Sequence, residues 1–331
     1  MTGLVAVEAR RFRYRTAVRW LALLAVVAAL AVVASVYASA RPPSAQELAD
    51  AEQQFAYAEQ DWAENGEQYV EDCRTGEEQA QATEPGADWG CDEMEPVPEL
   101  YLPVQPTFAG SAESWVSGGT LFLLLLAFAA GVTFVTAEFG SRSITTWLTF
   151  VPRRGRVYAS KVTVAALGVL VPTAAALAVV VGGAWLAAAA NDAVGQMTGA
   201  LWRDLGGLVL RALAVAAVLG AVGAALGFLA RSAAAALGLG VGWLLLVDSV
   251  VTGLLPRVTP WTLTASLEAW IDGGSTYWVT APCPPLDGVP QAGSCTVERT
   301  VSMLHGGVLV AVVAVVLVAL GALVFRRRDV G

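Results

Sequence analysis

Residues 115–137 read WVSGGTLFLLLLAFAAGVTFVTA, without one charged side chain. A helix needs about 20 apolar residues to cross the hydrocarbon of a bilayer, so this stretch alone predicts a membrane span. Five further long apolar runs lie at 18–40, 162–190, 205–229, 233–255 and 302–325. The run at 162–190 is long enough for a tilted span or for one with an interfacial end. Between the runs the chain is too polar, or too rich in Pro and Gly, to lie in lipid, where irregular backbone strands its N–H and C=O groups. The expected fold is therefore an all-α integral membrane protein with about six transmembrane helices, a single membrane domain over 1–331. Composition agrees: 56% of residues are hydrophobic and 15% charged, against about 25% charged in soluble domains. That balance excludes the two soluble domains otherwise suggested by 331 residues.

Basic residues set the orientation. Arg10, Arg11, Arg13, Arg15 and Arg19 precede or open the first run, and Arg142, Arg153, Arg154, Arg156 and Lys161 follow the second. Arg231 follows the fourth run and Arg326, Arg327 and Arg328 follow the last. Six spans put all of these on one face, which is expected to be cytoplasmic and to hold both termini. The only acids on that face are Glu8, Glu138 and Asp329. All four cysteines fall on the opposite face, as two close pairs. Disulfides persist in extracytoplasmic space, so the expected bonds are Cys73–Cys91 and Cys283–Cys295. Four cysteines permit three pairings, and proximity selects this one. Zinc is the rival reading, weakened because neither loop holds a histidine. The arginine-rich N-terminus, its apolar run and Ala38-Ser39-Ala40 also resemble a cleavable signal peptide, and Arg10-Arg11-Phe12 hints at a twin-arginine signal. The run of about 20 residues exceeds a signal's usual core of about 7–15, and its loss would leave five spans. Residues 8–19 can also lie in the headgroup layer, although a positive flank that fixes topology is the simpler and preferred reading.

Residues 41–114 read as an acidic extracytoplasmic insertion, with 18 acids against Arg41 and Arg74. Pro42-Pro43 ends the first span, and Ser44 with Glu47 three residues later forms a capping box that opens a helix. Leu48, Phe55, Trp62 and Tyr69 recur every seven residues, with Ala51 and Ala58 between. That stripe fits either a contact with a second copy or partner, or packing within the insertion itself. From Thr75 to Thr107, Pro, Gly and acids predict a disulfide-pinned loop. A second extracytoplasmic loop, 256–301, contains a short interfacial helix that begins at Thr259-Pro260-Trp261. Trp261, Leu263, Leu267 and Trp270 are its apolar positions, and Gly273-Gly274 ends it.

The loop at 138–161 reads EFGSRSITTWLTFVPRRGRVYASK. Ile144, Trp147, Leu148 and Val151 share a face at helical spacing, while Ser143, Thr145 and Thr149 face away. Pro152 stops the helix, because it lacks an N–H and disfavours helix in the residue before it. This loop resembles the ABC-2 family of exporter permeases. Their loop between the second and third spans commonly has Glu, then Gly-Thr or Gly-Ser, Leu or Ile, Pro-Arg and finally Lys. Glu138, Ser143, Ile144, Leu148, Pro152, Arg153 and Lys161 match in order, whereas Arg142 stands where the family usually has Gly. The resemblance implies a permease that pairs with a separate ABC ATPase subunit. The cleft of that ATPase would receive the 143–151 helix, with Trp147 on its contact face. It also implies a second permease copy or paralogue, surrounding membrane lipid, and ATP used by the partner alone.

No Walker motif and no HExxH occurs, and His305 is the only histidine. Catalytic residues, a metal site, bound cofactors and nucleic-acid contacts are therefore not expected. Asp248 lies inside an apolar run, where a charge is costly and often functional, unless it bonds a neighbouring helix. Gly220, Gly223 and Gly227, and separately Gly238 and Gly242, offer small faces for close helix packing, within the chain or between copies. A proton-coupled carrier is disfavoured by the scarcity of ionisable groups in the spans. The remaining alternative is a membrane-anchored sensor or interaction protein that uses its acidic outer domain. Ala, Val, Gly and Arg are abundant and Lys161 is the single lysine, which suggests a GC-rich bacterial genome and the plasma (inner) membrane.

Overall fold

The computed structural model describes residues 2–81, 88–141, 143, 153–283 and 294–327. Among them are six helical segments long and apolar enough to cross a membrane: Thr16–Ser39, Phe108–Gly140, Arg154–Ala189, Gly199–Ala230, Ala233–Leu254 and Met303–Arg327. In chain order, α1 (Thr2–Tyr14) precedes the first span, α2 (Thr16–Ser39), and α3 (Ala45–Gln81) follows it. The second span is α4 (Phe108–Gly140). The third consists of α5 (Arg154–Gly168) and α6 (Leu170–Ala189), which meet at Val169. Pro172 lies in the first turn of α6 and lacks the N–H that would bond back across that junction. The fourth span is α7 (Gly199–Ala230). The fifth is α8 (Ala233–Gly242), a π-helical turn (Trp243–Asp248) and α9 (Ser249–Leu254). After a 3₁₀ turn at Pro256–Trp261 come α10 (Leu263–Asp272), β1 (Gly274–Pro282), β2 (Ser294–Ser302) and the last span, α11 (Met303–Arg327).

Two departures from the sequence reading have plain causes. Residues 108–114, assigned to the insertion for their polarity, are the first turns of α4. Thr107 caps that helix, its hydroxyl accepting from the Gly110 N–H at 3.2 Å, and Phe108 is fully buried. Residues 274–282 and 294–302 form a two-stranded sheet, so the expectation of an all-α chain misses a β ribbon. Thr276, Tyr277, Trp278, Val279 and Thr280 on the first strand, and Thr296 and Val297 on the second, are β-branched or aromatic residues that favour a pleated backbone. The Cys283–Cys295 bond follows the end of β1.

Chain contacts separate two units. One contains Met1–Ser39, Thr107–Trp278 and Glu298–Gly331, and the other Ala40–Pro106 and Val279–Val297. The first is organised around α4 and α7, whose backbones touch. A Cβ on Gly131 would overlap the Gly220 carbonyl oxygen, and one on Gly223 would overlap that of Phe128. A Cβ on Gly220 would also stand 2.7 Å from the Ala165 oxygen on α5. The glycine face at 220, 223 and 227 is thus consumed inside the chain and is not a contact between copies. Gly238 and Gly242 face open space. Similarly, Gly306 of α11 lets the α10 backbone approach at Ser266, and Gly307 lies under the Trp270 ring.

In the second unit, α3 extends over 37 residues. Its N-terminus carries the expected capping box. The Ser44 N–H donates to Glu47 Oε2 at 2.7 Å and the Glu47 N–H to Ser44 Oγ at 3.2 Å. The seven-residue stripe packs partly within the unit, with Phe55 edge-on to Tyr101 at 5.6 Å between centroids. Trp62 folds over Gly66 of its own helix. Farther along, Cys73 is bonded to Cys91, Arg74 pairs with Asp92, and Trp89 covers Gly76.

Candidate functional site

The region of interest lies at one end of the first unit, where α1, the last turn of α4, the first turns of α5 and the ends of α7 and α11 meet. Aromatic packing ties four of these together. Tyr158 of α5 donates to the Val318 carbonyl of α11 at 2.6 Å. Its ring lies 4.8 Å from that of Phe228 on α7, which is 4.6 Å from Phe325 on α11 and 5.9 Å from Phe139 on α4. Arg11 lies beside Glu138 here, Arg15 bonds the Phe134 carbonyl, and Arg231 stands over the Phe139 ring at 5.6 Å.

Within this frame sits a buried charge cluster. Lys161 is fully buried and donates to Glu8 Oε2 at 2.9 Å and to Glu138 Oε1 at 2.7 Å. Glu8 is likewise fully buried and Glu138 nearly so. Arg11, one turn beyond Glu8, lies 3.7 Å from both carboxylates, so two anions face two cations. The ammonium of Lys161 also sits 4.8 Å from the centre of the Phe134 ring, a cation–π contact strengthened by desolvation. Phe12 meets Phe134 edge-on at 5.1 Å, and Arg15 Nη1 donates to the Phe134 carbonyl at 2.9 Å. Ion pairs hidden from water are held by short charge-assisted bonds of this kind. Removing one partner leaves an uncompensated buried charge.

The expected site residues separate into three groups. Glu138 and Lys161 come together, but inward, against each other and Glu8, so their side chains hold the roots of the loop and offer no surface to another protein. Ser143 and Arg153 are exposed, with Ser143 Oγ 3.0 Å from Ser141 Oγ. Ile144, Trp147, Leu148 and Pro152, with Arg142, lie outside the described residues. Glu8 is the member that the loop pattern did not include. Its signal was present in the charge pattern, since Glu8 and Glu138 are two of only three acids expected on the arginine-rich face.

At the far end of the same unit, Asp248 closes the π-helical turn and is 4% exposed. Its Oδ2 accepts from the Thr264 N–H at 2.7 Å and from the Thr264 hydroxyl at 2.8 Å. The carboxylate thus caps the start of α10 and holds the fifth span to it. His305 Nε2 is 2.9 Å from the Pro260 oxygen, with its ring against Trp261. Among the described residues no group of three or more His, Cys, Asp and Glu is placed to hold a metal. Beside Asp248 lies an apolar groove of about 560 Å³, lined by α4, α7, the fifth span, α10 and α11, with Phe128, Leu226, Trp243 and Leu267 prominent.

A family model described as ABC-2 family transporter protein matches residues 6–330. The chain belongs to the ABC-2 transporter family. No curated protein and no solved structure matches it. The six apolar helices and the buried cluster at the 138–161 loop are therefore features of an ABC-2 transporter permease, a membrane-spanning transport protein. The match takes in most of α1 as well as all six spans, so Glu8 lies within the family region.

Proposed function

We propose that this permease is the membrane subunit of an ABC-type exporter and takes its driving force from a separate ATPase. The 143–151 segment is the element that the ATPase grips, at the cytoplasmic face of a bacterial plasma membrane where both termini also lie. The observation that carries this reading is the cluster of Glu138, Lys161 and Glu8. A loop that only joined two spans would not need both its roots fastened by buried ion pairs, whereas a lever must be stiff at its base. The aromatic tie from Tyr158 to Phe228 and Phe325 supports the same reading, because force applied at the loop reaches α7 and α11 without slack. Dimerised permeases, as two copies or as a copy with a paralogue, would then form the path between their helices.

Trp147→Asp and Leu148→Asp variants, purified from native membranes with the associated ATPase, test the reading. Loss of the ATPase from a folded permease is the expected result, and full recovery of ATPase with unchanged transport would overturn it. The acidic outer unit supports a second reading, a sensor whose 18 acids between residues 41 and 114 bind a partner outside the cell. In that case no ATPase co-purifies even with the unmodified chain.

A further inference from the structure

Glu8 has no place in the loop motif, yet it is one of the most deeply buried charges in the molecule. It sits on α1, which precedes the first span, and reaches across to Lys161 on α5 while Lys161 also holds Glu138 on α4. Its other oxygen, Oε1, has no hydrogen-bond partner and faces Arg11 at 3.7 Å. A surface helix needs no such anchor merely to lie on a membrane, for which an apolar face and outward arginines suffice. Burying a carboxylate costs several kcal/mol of desolvation before any pairing, so the contact is expensive unless α1 must keep one fixed position on the loop roots.

We infer that Glu8 is a positioning residue that locks α1 to both roots of the 138–161 loop, so that α1 and the loop move as one body. The consequence is a mechanical route to the first span. Displacement of the loop carries Lys161 and Glu138, these carry Glu8 and α1, and α1 turns directly into α2 at Arg15, which is itself bonded to α4 through the Phe134 carbonyl. Phe12, packed between Phe134 and Gly168, supplies the apolar half of the same clamp. Without the lock, α2 would be reached through its packing on α4 and α6 and through the Arg15 bond. This inference rests on the loop being the driven element, but the lock itself exists or fails independently of what drives it.

The test uses the full chain with spin labels at Gly3→Cys and Arg156→Cys, both exposed positions. The native cysteines are all disulfide-bonded among the described residues, so they do not take label. Distances are measured in nanodiscs for the permease alone and for its complex with the ATPase, without nucleotide and with trapped nucleotide. One narrow distance, the same in every state, is expected for the parent. Glu8→Gln is expected to split or broaden it, and to abolish the response of ATP turnover to the permease while the ATPase still co-purifies. A parent distance that changes between nucleotide states would overturn the inference, as would a Glu8→Gln distribution identical to the parent's. If Glu8→Gln does not fold, Glu8→Asp replaces it. That variant keeps the charge but withdraws the carboxylate from Lys161, so broadening is again expected and an unchanged distance is again fatal. The permease-alone arm reads the lock even if the Trp147→Asp experiment refutes ATPase coupling.

Discussion

Lys161 is the only lysine in the chain, and its position shows how much one side chain decides. With Glu8 and Glu138 at 2.9 and 2.7 Å, it bonds two carboxylates that are almost wholly hidden from water. Lys161→Met is expected to destabilise the permease by about 3–5 kcal/mol, because it leaves two buried anions facing Arg11 alone. Thermal unfolding in detergent should show a large loss for Lys161→Met and a smaller one for Lys161→Arg. Glycine offers a parallel contrast. Gly223→Val should cost at least about 1–3 kcal/mol by overpacking, since its first carbon already overlaps the Phe128 oxygen. Gly238→Ala faces open space and should leave the melting temperature unchanged or slightly raised. Both glycines look alike in the sequence, as small residues in apolar runs. Only the neighbour across the helix interface distinguishes them.

At the scale of elements, α3 tests how far local rules reach. Its start at Ser44 and Glu47 was legible from two residues, because a capping box is satisfied within one turn. The packing of Phe55 on Tyr101 was not, because it depends on chain that returns from elsewhere. The Ser44 backbone N–H, and then its hydroxyl, hold the exposed Glu47 carboxyl below the ordinary range. A carboxyl lowered in the folded state contributes stability above its unfolded value, and that contribution is lost as pH falls through the folded value. Hydrogen exchange should therefore show the first turn of α3 fraying at acid pH, and Ser44→Ala should fray it already at neutral pH. Reduction of Cys73–Cys91, which encloses a loop of 18 residues, should loosen the 88–106 segment, the bond contributing about 3 kcal/mol. Thiol titration of the denatured chain should find no free thiol before reduction and four after it.

For the whole molecule, the charge asymmetry is the governing fact. Arginines at the end shared by α1, α5, α7 and α11, and acids concentrated in the other unit, predict one orientation in the membrane. Leu100→Cys, 78% exposed in the acidic unit, should react with a membrane-impermeant maleimide in intact cells. Arg153→Cys should react only after permeabilisation, and the reverse pattern would refute the orientation and with it the proposed ATPase coupling.

Six apolar spans, the two cysteine pairs and the ABC-2 family could be read from the order of residues. All of these are local: hydrocarbon thickness sets a run length, a cap closes within one turn, and a charge near a span biases its side. Which glycines touch, that Asp248 caps α10, that residues 274–302 include a β ribbon, and that Glu138 and Lys161 turn inward to Glu8 emerged from the folded chain. These depend on groups separated by up to 153 positions in the chain meeting at hydrogen-bond distance. Periodicity cannot encode that, because a buried charge has the same letter as a solvated one until its partner arrives.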